Sequence, residues 1–292
     1  MHKYLESVGF KRIESKKQEE MLIGSIIQKP KRKKIITNQS EYDMMYAELS
    51  IEYAPGVGIK VLGQYDAEEN FHMEHYFPYI EGRSESLREP CVIAKRMEAT
   101  AFSGMCDDGR LGVSLIFYIT NVVDCIKETG IDPDPDEVEK KVRLAGLCTE
   151  GMVILPTIYS ADVLTNGEKK LQHVKRAADG RENEADEAER MAIEQFDLLN
   201  SINGRIGNED VFSIVETSLL PYGMEAEVYK ILGIIESVQN YENPVFGERL
   251  YVMTILCNDI VLDICINEDS IVGKPMPGFR FRGIVWLQGK VE

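Results

Sequence analysis

Residues 275–292 read PMPGFRFRGIVWLQGKVE and hold the only tryptophan of the 292-residue chain, Trp286, between Gly283 and Gly289. As a strand this stretch sorts its side chains onto two faces, because successive Cβ atoms point to opposite sides of a sheet. Phe279, Phe281, Gly283 and Val285 share one face, and Arg280, Arg282, Ile284, Trp286 and Gln288 share the other. The phenylalanine face reads as core. The other face makes Trp286 either a buried staple onto the middle of the chain or an exposed platform, and the tendency of large aromatics to be buried favours the staple.

Upstream, YKILGIIESVQNY (229–241), GERLYVMTILCN (247–258) and IVLDICIN (260–267) have the apolar, β-branched character of strands, broken by turn residues at ENPVFG and Asn258-Asp259. With the closing strand they form a C-terminal β unit over 224–292, compatible with a partial OB-like barrel. In the N-terminal part, three runs at about 45–53, 58–65 and 70–80 read as an antiparallel meander. A hairpin of about 91–105 with 111–119 completes a sheet of about five strands. Ser15 and Gln18 make a capping box for a helix over about 16–28, Asn121 is placed to cap VVDCIKETG, and Asp136 with Glu139 suggests a further helix through VEKKVRLAG. GMVILP (151–156) reads as a short buried strand. Over 184–203, Ala188, Met191, Ala192, Leu198, Leu199 and Ile202 recur at helical spacing. The expected fold class is therefore α+β: an antiparallel-sheet domain over 1–160, a helical connecting segment over 161–223, and the C-terminal β unit.

Composition narrows the function classes. A hydrophobic content of 44% with 28% charged residues is that of a soluble globular chain. The longest apolar run, GVSLIFYITNVV, is too short to span a bilayer. The first residues lack the pattern of a secretory signal, and six cysteines without a C-x-x-C pair read as reduced core thiols, so a cytoplasmic location is expected. The net charge of −16 disfavours nucleic acid as a partner. Residues 1–40 nevertheless carry ten Lys+Arg against four Glu, and KPKRKK places Lys29, Lys31, Arg32, Lys33 and Lys34 in one run. That run suits an acidic protein surface, a solvated loop, or docking onto the chain's own acidic body.

Candidate ligand-binding residues come from two segments. FHMEHYFPY (71–79) supplies His75 and Tyr79, and MCDDGR (105–110) gathers Cys106, Asp107 and Asp108 at a hairpin tip. On a regular strand His72 and His75 point to opposite faces, so no metal site is expected from them, and HMEH lacks the zinc-protease spacing. No Rossmann, Walker or nucleophile-elbow pattern is present, and no cofactor is expected. The leading expectation is a non-catalytic binding or interaction protein. The alternatives are a small-molecule enzyme using His75 with the carboxylates near 105–110, or weak single-strand nucleic-acid binding through Phe279, Phe281 and Trp286.

MHKYLESVGF at 1–10, QYD at 64–66, EHYFPY at 74–79, GMCDDGRLGVSLIFY at 104–118 and FRGIVWLQG at 281–289 resemble, taken together, an uncharacterised family of clostridial bacterial proteins classed as a domain of unknown function. The resemblance spans essentially the whole chain. It implies a bacterial cytosolic setting and carries no activity, cofactor or catalytic residue onto these positions.

Overall fold

A computed structural model describes residues 2–37, 45–84, 86–87, 90–96, 100–107, 114–130, 139–155 and 216–292. One unit comprises Met1–Ile154 with Thr217–Glu292 and a second Leu155–Glu216, of which only the two end residues are described. Strands dominate: β1 (Arg32–Thr37), β2 (Met45–Ala54), β3 (Val57–Tyr65), β4 (Phe71–Ile80), β5 (Cys91–Lys95), β6 (Phe102–Cys106), β7 (Leu115–Ile119), β8 (Glu139–Lys140), β9 (Val142–Ile154), β10 (Ser218–Pro221), β11 (Val228–Glu242), β12 (Arg249–Cys257), β13 (Ile260–Asn267), β14 (Ile271–Val272) and β15 (Arg280–Val291). The described helices are α1 (Lys16–Gln28), α2 (Val122–Thr129) and short 3-10 turns at Lys3–Val8 and Glu268–Ser270.

The centre of the unit is a closed five-stranded barrel. β11 pairs with β12, β12 with β13, β13 with β9 in parallel, β9 with β15, and β15 back with β11. Closure removes the open edges that an unfinished sheet would leave. The interior is solid, built on fully buried Met253, Ile255, Ile264, Ile266, Phe281 and Val285. Phe281 fits because two positions beside it carry no side chain. A Cβ built on Gly151 would lie 2.5 Å from the Phe281 ring, and one on Gly283 would lie 2.8 Å from it. Gly151 and Gly283 are themselves paired across β9 and β15, so the ring occupies a gap made by one rung of the ladder.

At its far end β15 also pairs in parallel with β7 through Gln288 and Gly289, and β6, β5 and β8 continue that sheet. The same device recurs there, since a Cβ on Gly104 or Gly289 would strike the ring of fully buried Phe117. The strands β1 to β4 form a separate antiparallel sheet. Between that sheet and the barrel runs the N-terminal segment. Ser7 donates to the Cys148 carbonyl at 2.8 Å, and Asn243 donates to the Val8 and Gly9 carbonyls. One contiguous apolar core joins all these parts.

Several expectations are corrected. The protein is mostly β rather than α+β, and the barrel is closed rather than partial, because β9 from 142–154 supplies a stave that a C-terminal unit alone lacks. VEKKVRLAG does not form a helix: Glu139–Lys140 and Val142 onward are strands, since pairing of β8 with β5 and of β9 with β15 outweighs a local capping pattern. GMVILP is the end of β9. A helical middle is therefore not supported, and the stretch 184–203 lies outside the described residues. The N-terminal strands do not make one five-stranded sheet, and 91–105 breaks into β5 and β6, paired with each other. Asn121 precedes α2 without capping it. Its amide instead grips the last strand, donating to the Val291 carbonyl and accepting from the Val291 N–H, both at 2.9 Å. The helix over 16–28 stands, with the Ser15–Gln18 capping box intact.

Substituting Gly151→Ala or Gly283→Ala should destabilise by about 1–3 kcal/mol, the range for overpacking a full core. Gly24→Ala, in α1 with open space around the added methyl, should stabilise by about 0.5–1 kcal/mol. Urea unfolding of the three variants separates the two effects.

Candidate functional site

The residues singled out from sequence do not converge. In β4 the ladder with β3 slips between Leu62 and Gly63, where Glu74 is the extra residue, so the regular side-chain alternation of the strand is broken between Met73 and His75. His72 is exposed and lies 2.8 Å from Asp66, held by its own turn. His75 is half-buried, with Nε2 3.1 Å from the Tyr118 hydroxyl and Nδ1 buried without a partner among the described residues. Burial lowers its pKa and Arg96 lowers it further, against the raising charge of Glu74. Tyr118 stands opposite Ser103 on the β6–β7 ladder, whereas Cys106 stands opposite Leu115, three residues or about 10 Å further along. Cys106 is buried, Asp107 is exposed, and Asp108 lies outside the described residues.

Tyr79 is fully buried and belongs to an ion cluster instead. Lys60 Nζ lies 3.1 Å from Glu48 and 3.7 Å from Glu81, donates to the Thr120 carbonyl at 2.8 Å, and sits 4.6 Å from the centre of the Tyr79 ring. Lys290 of β15 closes the set on Glu81 at 2.7 Å. Burial pushes the Glu81 carboxyl up, but the Lys290 hydrogen bond and the Lys60 charge outweigh it and hold the pKa below its usual value. This cluster pins the four-stranded sheet to the last strand of the barrel.

The basic run opens β1 and is largely engaged by the chain itself. Arg32 pairs with Glu52 at 3.0 Å, Lys34 with Asp124 at 2.5 Å, and Lys33 Nζ lies 4.0 Å over the Tyr65 ring. Lys29 and Lys31 are left exposed or nearly so, without ion pairs among the described residues.

The two faces of β15 answer the question of Trp286. Its ring is 7% exposed, stacked on Tyr4 with centroids 5.1 Å apart and tilted against Tyr118 and His2 at 5.2 and 5.3 Å. It is a staple, onto the N-terminal segment and β7 rather than a helical middle, and neither it nor fully buried Phe281 offers a base a surface to stack on. Four residues away the same outer face is open. Arg282 and Ile284 form the floor of a groove of about 410 Å³, with Glu150 and Met152 of β9 on one side, Lys230 of β11 on the other, and Tyr222, Ser270 and Val272 at the rim. Met152, Tyr222 and Val272 are 45%, 46% and 64% exposed. Sequence reasoning placed Arg282 and Ile284 on one face, but their neighbours on β11 and β9 are about 50 to 130 residues away and no local pattern announces them.

Among the described residues no group of three or more His, Cys, Asp or Glu could hold a metal ion, and no helix is long and apolar enough to cross a membrane. All six cysteines are buried, and burial pushes the Cys148 and Cys257 thiols up to about 12. A family model described as "Domain of unknown function, E. rectale Gene description (DUF3881)" matches residues 5–289. The chain belongs to this family. No curated protein and no solved structure matches it. The chemistry of this DUF3881 chain is thus to be read from its own side chains.

Two predictions test the junction between sheet and barrel. Lys60→Met should cost about 3–5 kcal/mol by stranding the buried Glu48 carboxylate, and adding Glu48→Gln should recover part of it in urea unfolding. His2 accepts from the Tyr4 N–H, its ring lies near Trp286 and Tyr76, and burial, reinforced by the Lys3 charge, depresses its pKa to about 4. The unfolded chain then takes up this proton first, so stability present above about pH 6.5 is lost as pH falls towards 4, by about 2–3 kcal/mol. His2→Asn keeps an acceptor without the titration, and unfolding measured from pH 7 to 4 should show a shallower loss than wild type.

Proposed function

We propose that this chain is a non-catalytic binding protein whose binding surface is the groove over β9, β15 and β11. The observation that carries this reading is the groove itself: exposed apolar side chains beside Lys230 and Arg282 on a rigid, closed barrel. Small-molecule sites are concave, largely preformed and mostly apolar with a few placed polar groups, and this groove has that make-up at the smaller end of their usual size of about 300–1,000 Å³. Exposed apolar surface concentrated in one place on a soluble protein marks an interaction site. The enzymatic alternative has less to stand on, because His75, the histidine it would use, is engaged with Tyr118 and set apart from Cys106.

The test is a fragment screen read by the ¹³C-methyl resonance of Met152, assigned with Met152→Leu. Hits should cluster on Met152, and Val272→Trp, which fills the groove from an exposed position, should abolish them while leaving stability within about 0.5 kcal/mol of wild type. Hits that leave Met152 unshifted, or turnover of a metabolite in an unbiased activity screen, would contradict the reading.

A further inference from the structure

We propose that the outer edge of β1 receives an extended acidic segment of a partner protein, which adds a fifth strand to the sheet of β1 to β4. This surface belongs to a different sheet from the groove and stands independently of it. β1 is the end strand of its sheet and pairs, among the described residues, with β2 alone. Every second residue of such an edge strand turns its N–H and C=O away from its neighbour, which leaves a template for another strand. Arg32, Lys33, Lys34 and Ile35 are all exposed along it, as is Thr37. Lys31, one position ahead, is exposed too, and its N–H donates to the Ser50 carbonyl at 3.0 Å, so the start of the edge is fixed on the sheet.

Charge decides the occupant. Residues 29–34 hold five cations, and the carboxylates that answer them among the described residues are Glu52, paired with Arg32, and Asp124, paired with Lys34. Both are solvent-accessible bridges of the kind that contribute little and open readily to a competing carboxylate. Lys29, Lys31 and Lys33 have no ion pair among the described residues, and the Tyr65 ring 4.0 Å from Lys33 Nζ leaves that charge in place. The edge is thus locally positive in a chain of net charge −16, and acids farther off than about 8 Å are screened from it at physiological ionic strength. A second copy of β1 is a poor occupant, because like charges directly opposite one another destabilise a strand pair whereas opposite charges stabilise it. A nucleic acid has no N–H and C=O groups at strand spacing and so makes no use of the edge. Along β1, Lys33 and Ile35 share one face and Arg32 and Lys34 the other. The matching segment therefore carries acidic residues where it faces the cations and an apolar residue where it faces Ile35, which is 45% exposed.

The experiment titrates the full chain with end-blocked peptides in which two glutamates and a valine alternate with threonines, made in both chain directions, following the heat of binding and the hydrogen exchange of the β1 amides. In one of the two directions the acidic peptide should bind, slow exchange of the outward amides of 32–37 at least tenfold at saturation, and bind more weakly as salt rises. The same peptide with prolines for the threonines keeps the charge and loses the pairing N–H groups, and it should bind at least fivefold more weakly without protecting β1. A peptide with lysines for the glutamates should not bind. Lys31→Glu combined with Lys33→Glu should weaken the acidic peptide at least tenfold. Lys17→Glu, at an exposed position about 18 Å from Lys29 along α1, should leave it unchanged. Equal binding of the proline peptide, or binding without protection of β1, overturns strand addition. Binding indifferent to the double variant overturns the part played by charge. Failure of the acidic peptide in both directions, or tighter binding of single-stranded oligothymidylate to the same edge, overturns the acidic protein partner.

Discussion

The ring of Phe281, lying in the gap where Gly151 and Gly283 face each other, is the contact on which the barrel closes. Five strands enclose too little space for five full sets of inward side chains, and an interior this small is filled by pairing one large residue with absent neighbours. With the ring in place β15 can pair with β9 on one edge and β11 on the other, so it has no free edge along most of its length. Everything attached to β15 depends on that placement: the parallel junction to β7, the Lys290 contact to Glu81, and the Gln288 amide, which donates to the Pro78 carbonyl and accepts from the Ile80 N–H.

The outer wall of the barrel has two fates along one strand. Near its C-terminal end Trp286 and Gln288 are covered by the N-terminal segment and by β4, and the polar groups there are matched by specific partners. Nearer its start Arg282 and Ile284 line the groove. A covered half stabilises the assembly and an open half remains available for recognition, so the proposed binding surface stands on a scaffold that is fixed from the other end. Two half-buried histidines lie at the covered half. There His2 and His75 are held in their neutral forms by burial, which ties that junction to pH and leaves the groove apart from it.

Local signals in the sequence carried those parts whose structure is decided locally. The Ser15–Gln18 capping box sets α1, and the alternation of 279–288 separates Phe281 from Trp286. What the sequence left unread depends on distant partners. VEKKVRLAG has a helix-start pattern, yet from Val142 on its pairing with β15, nearly 150 residues away, makes it a strand and completes the barrel. The bulge at Glu74, which breaks the alternation of β4, arises from registry against β3 and leaves no composition signature. The candidate residues His75, Tyr79, Cys106 and Asp107 looked like a set because they are rare residue types in two short segments. In space each has its own surroundings, and the groove draws on residues with nothing unusual about them individually.

The most direct test of the account is a nuclear Overhauser experiment on isotopically labelled protein that asks which strands flank Gly283. Barrel closure predicts contacts from the Gly283 backbone to Gly151 on one side and to Ile231 on the other, together with contacts from the Phe281 ring to Ile266. Contacts to Gly151 alone, with Ile231 distant from β15, would mean an open sheet and would contradict both the closed barrel and the groove built on its wall.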